Sequence, residues 1–257
     1  MNAPRDTISA AIRACAAGGR PALVAYMTAG FPDRASFERN LAAIGAAADV
    51  VELGVPFSDP MADGMTIQRA SHVSLAGGFT LAWLLETLAG LGRRPRAPLL
   101  LMSYLNPLLA YGLAKLPEAA AAAGVAGFII PDLPYEESAE VRAALDRAGL
   151  ALVQLVTPVT PPERLRMLCA ASQGFVYAVT MTGTTGKSVA VPDEVLEYMD
   201  RVRAASPVPV CAGFGIRARE HVARMTGHVD GVVVGSALVE VLERGEDPAG
   251  FLAALRG

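Results

Sequence analysis

Short apolar runs of β character recur along the chain, at 21–27, 49–53, 98–103, 126–130, 150–156, 174–180, 208–211 and 230–234, and each ends in a Gly, Pro or polar cluster. Between them the apolar positions shift to helical spacing. They predict helices over about 35–47, 80–91, 115–123, 136–147, 161–171, 192–204, 217–226 and 236–244, with 7–17 as an extra helix before the first strand. Strands alternating with helices imply βαβ units and a parallel sheet. Runs such as Gly231-Val-Val-Val234 carry no polar alternation, as expected of strands covered on both faces. Pro161 and Pro162 suit a first helical turn, where the missing N–H has no partner to lose, and Gly124 and Gly149 are placed as helix stops. Eight units within 257 residues favour closure. The expected fold is therefore α/β, a (β/α)8 TIM barrel with an extra N-terminal helix, residues 1–257 forming a single domain.

Composition changes this picture little. With 53% hydrophobic and 18% charged residues and a mean hydropathy of +0.38, a chain of this size can build its core without disulfides or metal. A formal charge of −3 leaves no basic footprint for nucleic acid, and no polybasic run suggests an anionic membrane. A diffusible small molecule is the expected partner. Cys15, Cys169 and Cys211 are odd in number, far apart and without a C-x-x-C pair, so they read as buried thiols. The N-terminal residues lack the regions of a signal peptide, and no run approaches the roughly 18 apolar residues of a membrane span. A cytoplasmic location is expected.

In such a barrel the working face lies where strands hand over to helices. Three Gly-rich segments follow strands six, seven and eight: Thr182-Gly-Thr-Thr-Gly-Lys187, Ala212-Gly-Phe-Gly-Ile216 and Gly235-Ser-Ala237. Any one of them reads as an ordinary cap or turn. Together, at consecutive strand ends, they predict a phosphate cradle in which backbone amides approach an anion and a helix N-terminus adds partial positive charge. Gly215, Gly235 and Ser236 occupy the loops after strands seven and eight, and Gly186 could close the ring. Lys187 reads as a solvated loop residue at least as well as a phosphate cover.

The second strand, Asp49-Val-Val-Glu-Leu-Gly-Val-Pro56, sets Glu52 inside an otherwise apolar run. Burial there disfavours the charge and raises the pKa, which suits a proton shuttle near neutrality. The plainer alternative is a glutamate held by backbone donors or an ion pair. Asp59 and Asp63 follow in Phe57-Ser-Asp-Pro-Met-Ala-Asp-Gly64, where Asp-Pro and Asp-Gly are also routine turn chemistry. Asp132, after the fourth strand, is another acid expected at the working face. Tyr177 either offers a phenol to the cavity or fills the core. The two lysines, Lys115 and Lys187, fall outside the strands, so no Schiff-base lysine is available. His72, His221 and His228 fall in helical or helix-end segments without ligand spacing, and no metal site is expected.

At this point Val51-Glu-Leu-Gly-Val-Pro-Phe-Ser-Asp-Pro-Met-Ala-Asp-Gly64, with Thr66-Ile-Gln68 behind it, resembles the signature of the tryptophan synthase alpha chain family. The resemblance continues, in family order, through Tyr26-Met-Thr-Ala-Gly30, Leu101-Met-Ser-Tyr-Leu-Asn-Pro107, Val125-Ala-Gly-Phe-Ile-Ile-Pro-Asp-Leu-Pro134, Thr182-Gly-Thr-Thr-Gly186, Gly213-Phe-Gly-Ile216 and Val232-Val-Val-Gly-Ser236. It implies retro-aldol cleavage of indole-3-glycerol phosphate to indole and glyceraldehyde 3-phosphate in tryptophan biosynthesis, with no metal or organic cofactor. Carried onto matching positions, Glu52 is the acid-base residue, Asp63 the acceptor for the indole nitrogen, and Tyr177 a neighbour of the reacting centre. Gly186, Gly215, Gly235 and Ser236 then hold the phosphate, while Tyr26, Thr185 and Phe214 line the indole pocket and its lid.

The resemblance also implies a pyridoxal phosphate-bearing beta chain in an alpha2beta2 assembly, faced by Asp59 and Pro60. Departures from the family pattern are Met65 in place of proline, Leu105 of tyrosine, Leu109 of phenylalanine, Thr184 of valine and Lys187 of a small residue. Three other readings compete. A free-standing indole-3-glycerol phosphate lyase would share every catalytic residue. A non-catalytic scaffold that activates a beta chain would have no need of Glu52 and Asp63. A barrel isomerase would require an acid and a base at the first and fifth strand ends, which are lacking.

Overall fold

The computed structural model describes residues 3–180, 191–213 and 215–257. Their order is α1 (Pro4–Ala17), β1 (Ala22–Thr28), α2 (Phe37–Ala47), β2 (Val50–Gly54), α3 (Met65–Ala76), α4 (Leu81–Gly90), β3 (Leu99–Met102), α5 (Leu105–Tyr111), α6 (Leu116–Ala122) and β4 (Val125–Ile129). There follow α7 (Ala139–Arg147), β5 (Ala151–Val156), α8 (Pro162–Ala171), β6 (Val176–Val179), α9 (Asp193–Ala205), β7 (Val210–Gly213), α10 (Arg219–Met225), β8 (Gly231–Val234), α11 (Ser236–Glu243) and α12 (Pro248–Arg256). All eight expected strands are present, each paired in parallel with its chain neighbours. The pairing of β8 with β1, Ala25 opposite Val234, closes the barrel.

Strand alternation sorts the apolar residues into two cores. One fills the barrel with Val24, Val50, Leu100, Ala151, Phe175 and Cys211, and it is stoppered by Ile8, Ile12 and Cys15 of α1. The larger fills the shell between strands and helices, with Phe37, Leu53, Leu84, Phe128 and Leu238 among its members. The stopper sits at the N-terminal ends of the strands: Arg5 N–H donates to Gly149 O at 3.0 Å and Ser9 Oγ to Gly174 O at 2.5 Å, both just ahead of strands. That end of the barrel interior is thus filled by α1 side chains. Gly124 and Gly149 follow α6 and α7 with φ of +79° and +68°, the left-handed stop expected of them. Cys15, Cys169 and Cys211 are buried free thiols.

Three helices were not legible as helices. The α3 sequence, Met-Thr-Ile-Gln-Arg-Ala-Ser-His-Val-Ser-Leu-Ala, has no clean apolar stripe and no side-chain cap. Pro107 sits in the first turn of the short α5, where a proline reads as a breaker but is tolerated. The α12 start did carry a signal, since Asp247 Oδ1 accepts the Ala249 N–H at 3.0 Å with Pro248 at the first helical position. The helix expected from 136 opens instead as a 3-10 turn, Tyr135–Glu137, and α7 begins at Ala139. No single helix among the described residues is long and apolar enough to cross a membrane.

Ile12 has no exposed surface and sits in the stopper. Ile12→Ala is expected to destabilise the fold by about 2–5 kcal/mol, the range for a large-to-small change in a core that cannot collapse around the gap. Urea unfolding of the two proteins measures it.

Candidate active site

Glu52 is the third residue of β2, two positions beyond Val50 and therefore on the same inward face. It lies opposite Tyr26 on β1 and Leu100 on β3. Its side chain has no exposure, and neither carboxyl oxygen finds a hydrogen-bond partner among the described residues. The alternative of a glutamate held by backbone donors or an ion pair is not what the geometry contains. Burial first, and the nearby Asp63 charge second, push its pKa up to about 8.

Two tyrosines flank it. Tyr177 on β6 is packed into the barrel core beneath the mouth, and burial followed by the Glu52 charge holds its phenol well above the ordinary range. Tyr26, raised by burial and then by Asp63, bonds Thr28 Oγ1 at 3.4 Å. Each ring lies where a strand glycine leaves room: a Cβ on Gly54 would come within 2.0 Å of Tyr26 Oη, and one on Gly213 within 2.7 Å of Tyr177 Cε1. The glycines at the ends of β2 and β7 thus let both rings crowd the carboxylate and exclude water from it.

Asp63 arrives from the loop after β2. Its backbone is pinned, with Asp63 N–H donating to Pro60 O at 3.0 Å and Gln68 Nε2 to Asp63 O at 2.8 Å. Burial raises its pKa to about 6, partly offset by a hydrogen bond from Tyr104. Tyr104, which sequence reasoning did not single out, also accepts the Ala62 N–H at 2.8 Å and packs its ring 5.3 Å from Phe57. The signal that could have found it is its place two residues past the end of β3, at the working face. The other loop acids separate from the pair. Asp59 is exposed. Asp132, which follows β4 at the working face, is also exposed, and its Oδ1 accepts the Leu105 N–H at 2.9 Å, so it caps α5.

Gly215 and Gly235 leave from neighbouring strands, β7 and β8 being paired up to Gly213 and Val233. Gly235 is the N-cap of α11, and Ser236 its first residue. Leu238 and Val239 N–H donate back to Gly235 O at 2.9 and 3.1 Å. That leaves the earlier amides of the first turn, Ser236 and Ala237, without intrahelical partners, as in any helix start, and able to receive an anion. A Cβ at Gly235 would find its nearest neighbours, Ile67 Cδ1 and Tyr26 Cβ, at 4.0 Å, and one at Gly215 would find nothing that close, so both backbones are open to an approaching ligand. Thr185 and Gly186, with Thr184 and Lys187, and Phe214 lie outside the described residues. No cluster of three or more His, Cys, Asp or Glu able to hold a metal occurs among the described residues.

The model of the tryptophan synthase alpha chain family matches residues 12–254. A tryptophan synthase alpha chain of Nitratidesulfovibrio vulgaris (strain DP4) is 45% identical over 244 residues, covering 95% of both chains. One of Solidesulfovibrio magneticus is 46% identical over 242 residues, 94% of both. Among solved structures, an open form of tryptophan synthase from M. tuberculosis superposes with a TM-score of 0.87 at 34% identity, covering 97% of this chain and 96% of that one. The tryptophan synthase A-subunit of Pyrococcus furiosus gives 0.85 at 35% identity, covering 93% and 99%.

The Glu52 geometry makes a thermodynamic prediction. A carboxyl whose pKa rises from 4.5 unfolded to about 8 folded holds its proton more tightly in the native state. The stability tied to it is then complete below pH about 4.5 and is lost as pH climbs through 8, by on the order of a few kcal/mol. Glu52→Gln removes the titration. The difference in unfolding free energy between variant and wild type is expected to grow in the variant's favour from pH 5 to pH 9, as read by denaturant titrations; a flat difference means that Glu52 titrates normally.

Proposed function

This chain belongs to the tryptophan synthase alpha chain family, and from that premise we propose how its barrel mouth performs the family's lyase reaction, the cleavage of indole-3-glycerol phosphate to indole and glyceraldehyde 3-phosphate. The observation that carries the proposal is a wholly buried Glu52 without a hydrogen-bond partner among the described residues, its pKa pushed up to about 8 by burial and the Asp63 charge, beside an Asp63 that burial pushes up to about 6. Near neutrality the first is protonated and the second ionised. Two carboxyls set apart in this way divide acid and base work between them.

Protonated Glu52 delivers its proton to indole C3. Asp63 accepts a hydrogen bond from the indole N–H and stabilises the positive charge that spreads into the ring as C3 becomes tetrahedral. The bond from C3 to the glycerol carbon then breaks and its electron pair restores the aromatic ring. The hydroxyl on that carbon becomes the aldehyde and returns its proton to the Glu52 carboxylate, so the enzyme ends as it began. Tyr177 and Tyr26 keep the carboxyl dry, and Tyr26 faces the indole. The phosphate lies across Gly215, Gly235 and Ser236. No step calls for a metal or an organic cofactor.

The family partners with a beta chain. In the proposed alpha2beta2 arrangement that chain meets the surface around Asp59 and Pro60. Supporting this, Met61, Met65 and Leu109 beside the same loop are 86%, 76% and 48% exposed, an unusual outlay of large apolar side chains to water. Met65 is the first residue of α3, a helical position that also suits proline, so this departure from the family pattern leaves the helix start intact. The proposed reading is of a cytoplasmic enzyme acting on a small diffusible substrate, without nucleic acid or membrane.

Assaying indole release by the purified chain, with and without a beta chain, tests the whole reading. No release under either condition points to a non-catalytic scaffold; release that a beta chain leaves unchanged points to a free-standing lyase. Glu52→Gln is expected to lower kcat by about 10²–10⁴, the worth of a general acid-base group; near-normal turnover removes Glu52 from the mechanism. Gly235→Asp is expected to raise KM by placing a negative charge in the cradle, and an unchanged KM contradicts the phosphate assignment.

A further inference from the structure

Three segments of the barrel mouth meet on a single carboxylate. Glu240 lies one helical turn beyond Ser236 on α11, and it accepts two parallel bonds from the Arg217 guanidinium, at 2.7 and 2.8 Å. The same side chain accepts Thr66 Oγ1–H at 3.4 Å. Arg217 stands two residues past Gly215 in the loop after β7, and Thr66 three residues past Asp63 at the start of α3. Arg69 repeats the link one turn further along α3 with a second fork onto Glu243, at 2.8 and 2.7 Å. Between Thr66 and Arg69, Ile67 is one of the two side chains nearest to where Gly235 would carry a Cβ. The Arg217 fork therefore ties the loop after β7 to the helix that opens the phosphate cradle, while the Thr66 hydroxyl and the Arg69 fork tie that helix to the segment that delivers Asp63.

A paired fork fixes direction as well as distance, because the planar guanidinium meets both carboxyl oxygens at once. At 36% and 25% side-chain exposure, Arg217 and Glu240 add little to global stability. What the pair constrains is the placement of Gly215 against the first amides of α11, the two sides of one phosphate cradle. We propose that Arg217 and Glu240 are positioning residues for the lyase reaction, holding the Gly215 loop in register with the phosphate-binding amides of α11. The proposal rests on the phosphate assignment above and adds to it a joint that neither Gly-rich loop contains.

The test uses the full chain and glycerol phosphate as the probe, titrated by calorimetry, beside steady-state indole release. Arg217→Ala and Glu240→Ala are each expected to weaken glycerol phosphate binding by about two- to fivefold, the worth of a partly exposed ion pair. The effect on cleavage should fall on KM more than on kcat. The double variant should be no worse than the poorer single, because the two residues act as one unit. Glu240→Gln, which keeps the shape, should move binding in the same direction, and Arg217→Lys should restore only part, since an ammonium cannot make the fork.

Opposite signs, with Arg217→Ala weakening and Glu240→Ala tightening the probe, would mean that the residues act through bare charge on the phosphate and would overturn the joint. Lower melting temperatures with unchanged probe affinity would overturn it too, reducing the pair to a scaffold contact. Wild-type protein that ignores glycerol phosphate removes the cradle and this proposal together. Wild-type protein that binds the probe but releases no indole fails only the reaction assignment, and the joint is still judged by the binding data.

Discussion

A carboxyl group buried within an apolar strand is the constraint around which this barrel mouth is organised. Glu52 has both oxygens buried and, among the described residues, unpaired, a condition that strongly disfavours the ionised form and keeps the proton on near neutrality. The surroundings read as the means of maintaining that state. Gly54 and Gly213 clear space for the Tyr26 and Tyr177 rings, and the α1 stopper closes the far end of the barrel. The Asp63 charge raises the Glu52 pKa further.

That arrangement is carried by a scaffold with capacity to spare. The inner and shell cores are continuous and consist of aliphatic and aromatic side chains with little or no exposure. Polar anchoring is displaced to the N-terminal rim, where Asp49 accepts both guanidinium arms of Arg20 and the Leu23 N–H, and Asp230 accepts the Val210 N–H. Stability and chemistry thus occupy opposite ends of the same strands. A strained or poorly hydrated group at the mouth can be tolerated because the plugged end does not depend on it.

The second carboxyl is of a different kind. Glu52 sits on a strand and inherits its position from the barrel. Asp63 sits on a loop and has to be held there by several weaker ties: Gln68 on its carbonyl, Tyr104 on its neighbour's amide, and the docking of α3 on α11. A strand-borne acid is placed by the fold itself, whereas a loop-borne one is placed only as well as its supports allow. The exposed methionines beside that loop put its conformation within reach of anything that covers them.

The eight strands, most of the helices and the burial of an acid at Glu52 were readable along the chain because they depend on local pattern: period two or 3.6, a glycine after a helix, a lone acid in an apolar run. The consecutive glycine loops were readable for the same reason. Tertiary contact alone decided that residues 65–76 form a helix, since their sequence has no strong stripe and α11 and the barrel supply the docking. It likewise made Asp132 the cap of α5 and gave Tyr104 its hold on the Asp63 loop. Gathering Arg217, Thr66 and Glu240 on one point needed the closed barrel too. These partners are up to 174 residues apart; periodicity records which face of an element is buried, but the neighbour that buries it is fixed only when the strands close into a ring.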